Sequence, residues 1–326
     1  QTSEALATFQ SSNNQQHGQR QKHHDFTVNG QRARLYDCQS DSAGTNWNQR
    51  PLVVIPGMAQ TISTWDGQAT IMSRDRIVLV CEPLGVGLLP ASSFNSETSD
   101  FSLPSQAQHL FQTMEHVFPS NKEDDNGSLY VDLVGFSLGG RISLAFCQLY
   151  PHCVDNLHVT GVAMERTERG RLYLAAWRDC LEQDDLRGFA WCALLASYSP
   201  SFLTAQKDKI ARLWIPALSQ SHSAEGLLKL MQQTHSEQAD DDKFSVQSMV
   251  ESRADAETRI NGHLCVGEVD EMVSVDQVKK LAQVLDWDLT VIQSAGHAVP
   301  MEAPRGWRES VLSHCQCQPR PQSTNT

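Results

Sequence analysis

The sequence predicts an α/β fold: a mostly parallel central sheet flanked by helices, with a block of helices inserted before the last strands. Three observations predict it. Short apolar runs alternate with stretches whose apolar residues recur at helical spacing, the pattern of strand-helix-strand crossovers. One run, Leu129 to Val134, suits a buried parallel strand and stops at a serine between glycines, Gly135-Phe-Ser137-Leu-Gly139. Helical spacing of Ile142, Leu144, Ala145 and Leu149 follows at once. The alternation then breaks over residues 165–259 and resumes afterwards, so that stretch is expected to be an insertion into the fold and not a further repeat of it.

Residues 1–23 are rich in Gln, Ser and Asn, bury too little surface to offset chain entropy, and are expected to be disordered. The chain starts without methionine, which fits either a precursor that has lost a targeting segment or a trimmed chain, and the compartment stays open. From His24 onward Phe26 and Val28 alternate, Asn29-Gly30 is a two-residue hairpin turn, and Ala33, Leu35 and Tyr36 continue on the far side. An antiparallel edge hairpin is therefore expected to open the core of residues 24–164 and 260–315. Pro51 to Pro56 reads as a buried strand, Ile62 to Ser73 as a helix, Arg76 to Cys81 as a strand, and Gln106 to Phe118 as a helix carrying Leu110, Met114 and Val117. After the serine turn, Leu157 to Met164 is another buried strand.

Within the insertion, three stripes predict short helices: Tyr173, Trp177, Cys180 and Leu181; then Leu186, Phe189, Ala190, Ala193 and Leu194; then Leu227, Leu230 and Met231. Alternation returns with a strand from Ile260 to Val266, a helix from Val275 to Leu285 and a strand from Asp288 to Gln293. The polar tail of residues 316–326 is expected to fray.

A net charge of −12 argues against a nucleic-acid partner, which wants basic patches, and against electrostatic docking on anionic lipid. No apolar run reaches the roughly 18 residues of a membrane span. The nine cysteines show no zinc-ligand spacing and read as free thiols, and the twelve histidines are scattered, so neither a metal nor another cofactor is expected. The acidic runs Glu123-Asp124-Asp125 and Asp240-Asp241-Asp242 read as solvated loops. A small molecule is the expected partner, and the oligomeric state is open.

In an open parallel sheet, ligands bind beyond the carboxyl ends of the strands. Those ends carry Gly57-Met58, Glu82-Pro-Leu-Gly85-Val-Gly87, Ser137, Gly267-Glu-Val-Asp270 and Gly296-His297 followed by Glu302-Ala-Pro304. Ser137, Asp270 and His297 stand in the chain order nucleophile, acid, base.

With these motifs in register over residues 24–315, the chain resembles the α/β-hydrolase superfamily. It departs from the family pattern at Pro56, where histidine is usual, and at Glu82, where aspartate is usual. The resemblance implies a serine hydrolase without a cofactor, acting on a carboxylic ester or thioester. A serine hydroxyl is a weak nucleophile at neutral pH, so Ser137 would need His297 as base. Asp270 would orient the imidazole. The resemblance assigns the oxyanion donors to the backbone N–H groups of Met58 and Leu138. Glu165, just past the strand expected to end at Met164, is the rival acid, because some members place theirs there. The aromatic-rich insertion (Tyr173, Trp177, Phe189, Trp191, Tyr198, Phe202, Trp214) either fills its own small core or roofs Ser137 and favours a substrate with an apolar acyl or aromatic part. Arg141 is similar in position to an arginine of the menaquinone-pathway lyases of the superfamily, so a lyase or a carbon-carbon bond hydrolase on the same residues is the enzymatic alternative. A ligand-binding receptor that retains the three residues with little turnover is the alternative of another class.

Overall fold

The computed structural model describes residues 23–37, 50–88, 99–118, 130–235, 246–254 and 260–316. The expected disorder of residues 1–23 and 316–326 falls almost wholly outside them, as do both acidic runs. Alternating apolar residues build one eight-stranded sheet, ordered β1-β2-β4-β3-β5-β6-β7-β8. Its strands are β1 (His23–Val28), β2 (Gln31–Tyr36), β3 (Leu52–Ile55), β4 (Val78–Cys81), β5 (Val131–Phe136), β6 (Val154–Thr160), β7 (Asn261–Gly267) and β8 (Asp288–Ile292). The Asn29-Gly30 turn, with both residues at positive φ, closes the antiparallel β1-β2 hairpin at one edge. β2 runs antiparallel to β4, and every pair from β4 to β8 is parallel.

Period-two alternation divides the core. Val53, Ile55, Leu79, Leu133 and Leu157 face one side, where they meet α2 (Leu103–Val117), α3 (Leu138–Leu149) and, toward β7, α10 (Val275–Leu285). Leu52, Val54, Val78, Val80 and Val134 face the other side, against α1 (Ile62–Met72) and α12 (Pro304–His314) with Trp65 and Trp307 between them. The insertion between β6 and β7 is helical: α4 (Glu168–Glu182), α5 (Leu186–Ser197), α6 (Pro200–Lys209), α7 (Ile215–Gln220), α8 (Ala224–Thr234) and α9 (Val246–Ala254). A π-helical turn, Ile210–Trp214, joins α6 to α7. The short α11 (Val299–Glu302) follows β8.

Two expectations need correction. β6 spans Val154–Thr160 and not 157–164, because Gly161 takes a φ of +71° and ends the pairing although apolar residues continue. The buried row on α4 is Leu174, Trp177 and Leu181, whereas Tyr173 lies on its flank and donates its hydroxyl to Glu271 at 2.7 Å.

The end of the sheet away from Ser137 is pinned by charge. Asp132 is fully buried and accepts from Arg76 at 2.5 Å, from Arg50 at 3.0 Å and from Asn156 at 2.8 Å. Hydrogen bonds of this kind tie β5 to the elements beside it.

Beneath α12, His158 and His263 stack at 5.3 Å, and His314 lies 5.1 Å from His263. Burial, then mutual repulsion, depresses the proton affinity of His158 and of His263, the latter to about 4, and burial also depresses His314. The unfolded chain binds these protons near the ordinary histidine value of about 6.5. The folded state therefore keeps this stability above that pH and loses it as pH falls toward the depressed values. For the fully buried His158 the slope is about 1.4 kcal/mol per pH unit. Urea unfolding between pH 7 and pH 5 should show a falling midpoint, and His158→Gln should flatten the fall. An equal slope in the variant would assign the acid sensitivity elsewhere.

Candidate active site

Ser137 is the N-cap of α3, and its backbone sits at φ 52° and ψ −113°, a strained conformation for a residue with a side chain. It is held there from both sides. Its N–H donates to the Thr160 carbonyl at 2.8 Å, and its carbonyl accepts from Gly140 and Arg141 at 3.0 and 3.2 Å. The turn brings α3 so close to β3 that a Cβ on Gly139 would lie 2.0 Å from the Ile55 carbonyl oxygen. Glycine is required there by space alone.

His297 comes from the loop after β8. Its Nε2 lies 2.9 Å from Ser137 Oγ, and its Nδ1 lies 2.8 Å from Asp270 Oδ2. A carboxylate only accepts, so Nδ1 carries the proton and the Nε2 lone pair faces the serine hydroxyl. Asp270 is aimed by its own turn. Its Oδ1 accepts the Met272 and Val273 N–H groups at 2.8 and 3.0 Å, and its side chain is fully buried. The imidazole rests on Gly161, where a Cβ would approach its Cε1 to 2.9 Å, so the glycine that ends β6 also makes room for the ring.

Glu165 is exposed and lies beyond the true end of β6, and the carboxylate bonded to His297 is that of Asp270. Met58 follows β3 and Leu138 opens α3, both facing the cavity at Ser137. Two further side chains shape the Met58 turn, and sequence spacing did not single out their roles. Gln60 Oε1 accepts the Gly57 N–H at 3.0 Å and the Trp65 indole N–H at 3.1 Å. Glu82 pairs with Arg32 and accepts the Ile62 N–H at 2.6 Å. Burial is the larger influence on Glu82 and raises its carboxyl above the usual range, with Arg32 opposing.

Two cavities adjoin at Met58, Ser137, Trp177 and His297. The larger, about 720 Å³, is walled by Phe189, Tyr198, Phe202 and Trp214 of the insertion. Tyr198 and Phe202 stack at 4.9 Å, and Trp214 lies 6.0 Å from Phe202. The smaller, about 180 Å³, is lined by Arg141, Arg166 and His235. Arg141 also donates to the Thr234 carbonyl. Desolvation first, then the charges of Arg166 and Arg141, hold the His235 imidazole well below its ordinary value. Of the aromatic residues singled out in the insertion, Tyr173 and Trp191 do not reach the larger cavity. Trp191 packs instead against the insertion's core of Ala190, Leu194, Ile210 and Ile215. Among the described residues no cluster of metal-ligating side chains is present, and no helix is long and apolar enough to cross a membrane.

No family model matches the chain. Over 76 residues it is 34% identical to a pyrrolizixenacetamide deacetylase of Xenorhabdus hominickii; the match covers 23% of this chain, and the chain spans 28% of that protein's length. Solved structures resemble it over nearly their whole length. MGS-M2, an α/β hydrolase enzyme from a Medee basin deep-sea metagenome library, aligns with a TM-score of 0.70 at 18% identity, covering 89% of this chain and 96% of that one. The enol-lactonase of Burkholderia xenovorans LB400 gives 0.66 at 13% identity over 88% and 97% of the two chains. The meta-cleavage product hydrolase of Pseudomonas fluorescens IP01 gives 0.65 at 18% identity over 89% and 96%. At these identities the likeness shows the fold, which is that of the α/β hydrolases.

Gly139→Ala should destabilise the protein by about 1–3 kcal/mol through overpacking against β3. Guanidinium unfolding measures this, and an unchanged midpoint would mean that α3 and β3 are not in close contact.

Proposed function

We propose that this chain of α/β-hydrolase fold is a serine hydrolase that cleaves a carboxylic ester or thioester through an acyl-enzyme. The observation that carries the reading is the hydrogen-bonded chain from Ser137 Oγ through His297 to Asp270, at 2.9 and 2.8 Å, opening on a cavity. In the proposed reaction Ser137 Oγ attacks the carbonyl carbon while Nε2 of His297 takes its proton. Asp270 holds the tautomer and stabilises the imidazolium. The backbone N–H groups of Met58 and Leu138 receive the oxyanion, and the dipole of α3 adds to them. The imidazolium then protonates the leaving group, and water repeats the sequence to release the acid.

The aromatic wall of the larger cavity supports an apolar acyl or aromatic part in the substrate. A specific observation favours a second reading. Arg141 and Arg166 beside the smaller cavity would suit an anionic group, as a carbon-carbon hydrolase or lyase acting through the same three residues would require. A receptor with little turnover is the reading of another class.

A panel of nitrophenyl esters separates these. Turnover that disappears in Ser137→Ala with the fold intact supports the hydrolase. Turnover that survives the substitution overturns it. Asp270→Asn should lower kcat by about 10⁴-fold, the scale of losing the orienting acid, while Glu165→Gln is silent. The reverse pattern would move the acid to the β6-α4 connection. Phe202→Ala should raise KM for an aromatic ester by about tenfold, equivalent to about 1.4 kcal/mol, and change an acetate ester little. Equal effects on both esters would place the aromatic group elsewhere.

A further inference from the structure

One carboxylate, on the last residue of α11, bonds to two segments that are far apart in the chain. Glu302 Oε2 accepts the Gly296 N–H at 3.0 Å, next to His297, and the Ser199 N–H at 3.0 Å, at the turn between α5 and α6. Its Oε1 accepts the Ser199 hydroxyl. That hydroxyl in turn caps α6 by accepting the Phe202 N–H at 3.3 Å. A second bridge runs alongside, from the Ala298 N–H to the Ser197 carbonyl at 2.7 Å. The two segments touch so closely that a Cβ on Gly296 would lie 2.7 Å from the Ser199 nitrogen.

We propose that Glu302 is a positioning residue that fastens the helical insertion and the His297 loop to each other, so that docking of the aromatic wall and placement of the base are one event. The inference rests on the serine-hydrolase reading. Glu302 touches no reacting atom. It acts through Gly296 on the ring that must meet Ser137, and through Ser199 on α6, which carries Phe202 into the larger cavity. Its three contacts there are two backbone N–H groups and one hydroxyl, so the place asks for acceptor oxygen. Glutamine could keep its oxygen on both N–H groups and turn its NH₂ to the Ser199 hydroxyl, which can accept, so alanine, which leaves both backbone donors without this acceptor, is the informative change. Aspartate is a methylene short of spanning both segments. Ser197 and Tyr198, next to the Ser199 that the carboxylate holds, line the aromatic cavity, so a substrate there would be coupled to base geometry through this turn.

The test is kinetic and structural together, on the full chain. Glu302→Ala should lower kcat for a nitrophenyl benzoate by about 10²-fold, the cost of misplacing a base by roughly 1 Å, with KM raised less than about threefold. Ser199→Ala keeps the backbone donor and should lose about threefold to tenfold in kcat, and the double variant should be no slower than Glu302→Ala alone. Hydrogen exchange should rise together in residues 197–202 and 296–298 of Glu302→Ala. An unchanged kcat, a raised KM with kcat kept, additive losses, or faster exchange in one segment alone would each overturn the proposal. If the wild-type chain turns over no ester, the hydrolase reading fails by itself, and the joint exchange response decides the clamp.

Discussion

The left-handed backbone of Ser137 is the constraint on which the site depends. A residue with a side chain at φ 52° costs on the order of 1–3 kcal/mol and persists only where its neighbours leave no alternative. Here the neighbours are β6, which takes the serine N–H through Thr160, and β3, against which Gly139 lies with no room for a Cβ. The reward is positional. The hydroxyl stands clear of the sheet at the start of α3, and the imidazole from the loop after β8 reaches it with its lone pair already oriented. Each partner is in turn fixed by backbone donors and not by a flexible contact, Asp270 by Met272 and Val273 and the His297 loop by Glu302. A preorganised polar chain of this kind needs little rearrangement when charge develops, which is where such sites gain rate.

Around this fixed centre the chemistry is asymmetric. Stacked rings of the insertion wall the large side, and cations line the small side, with Trp177 belonging to both. The core of the sheet is symmetric by comparison, its two faces divided by strand alternation, and it carries a buried ion network at the end away from Ser137. Stability and chemistry are thereby placed at opposite ends of the same strands. The histidine cluster under α12 is the exception, one buried and two half-buried titratable rings serving neither the site nor an ion pair.

Where local pattern decides an element, the sequence showed it: the helix over Val275–Leu285 and the Asn29-Gly30 hairpin lie where their periodicity puts them. Where a distant partner decides, it did not. Val162 and Ala163 look like more of β6, but Gly161 turns left-handed and makes room for His297, far along the sequence. Tyr173 reads as part of an apolar stripe, yet its hydroxyl finds Glu271 across the fold. That Ser137, Asp270 and His297 would lie together was legible because each sits in a glycine-marked turn at a strand end. Glu82 and Glu302 stood in motifs without a role and Gln60 in none, because all three accept from backbone N–H groups, and a backbone donor leaves no mark in the sequence. The two cavities depend on how six helices pack, and spacing alone could name their aromatic residues without deciding which of them face Ser137.

The central claim is that Ser137 is a nucleophile activated by His297. A fluorophosphonate reacts only with a serine whose proton has somewhere to go, so intact mass spectrometry followed by peptide mapping tests the claim directly. The account predicts a single phosphonyl adduct on Ser137, lost when His297 is replaced by alanine. No adduct on the native chain, an adduct on another residue, or undiminished labelling of His297→Ala would contradict it.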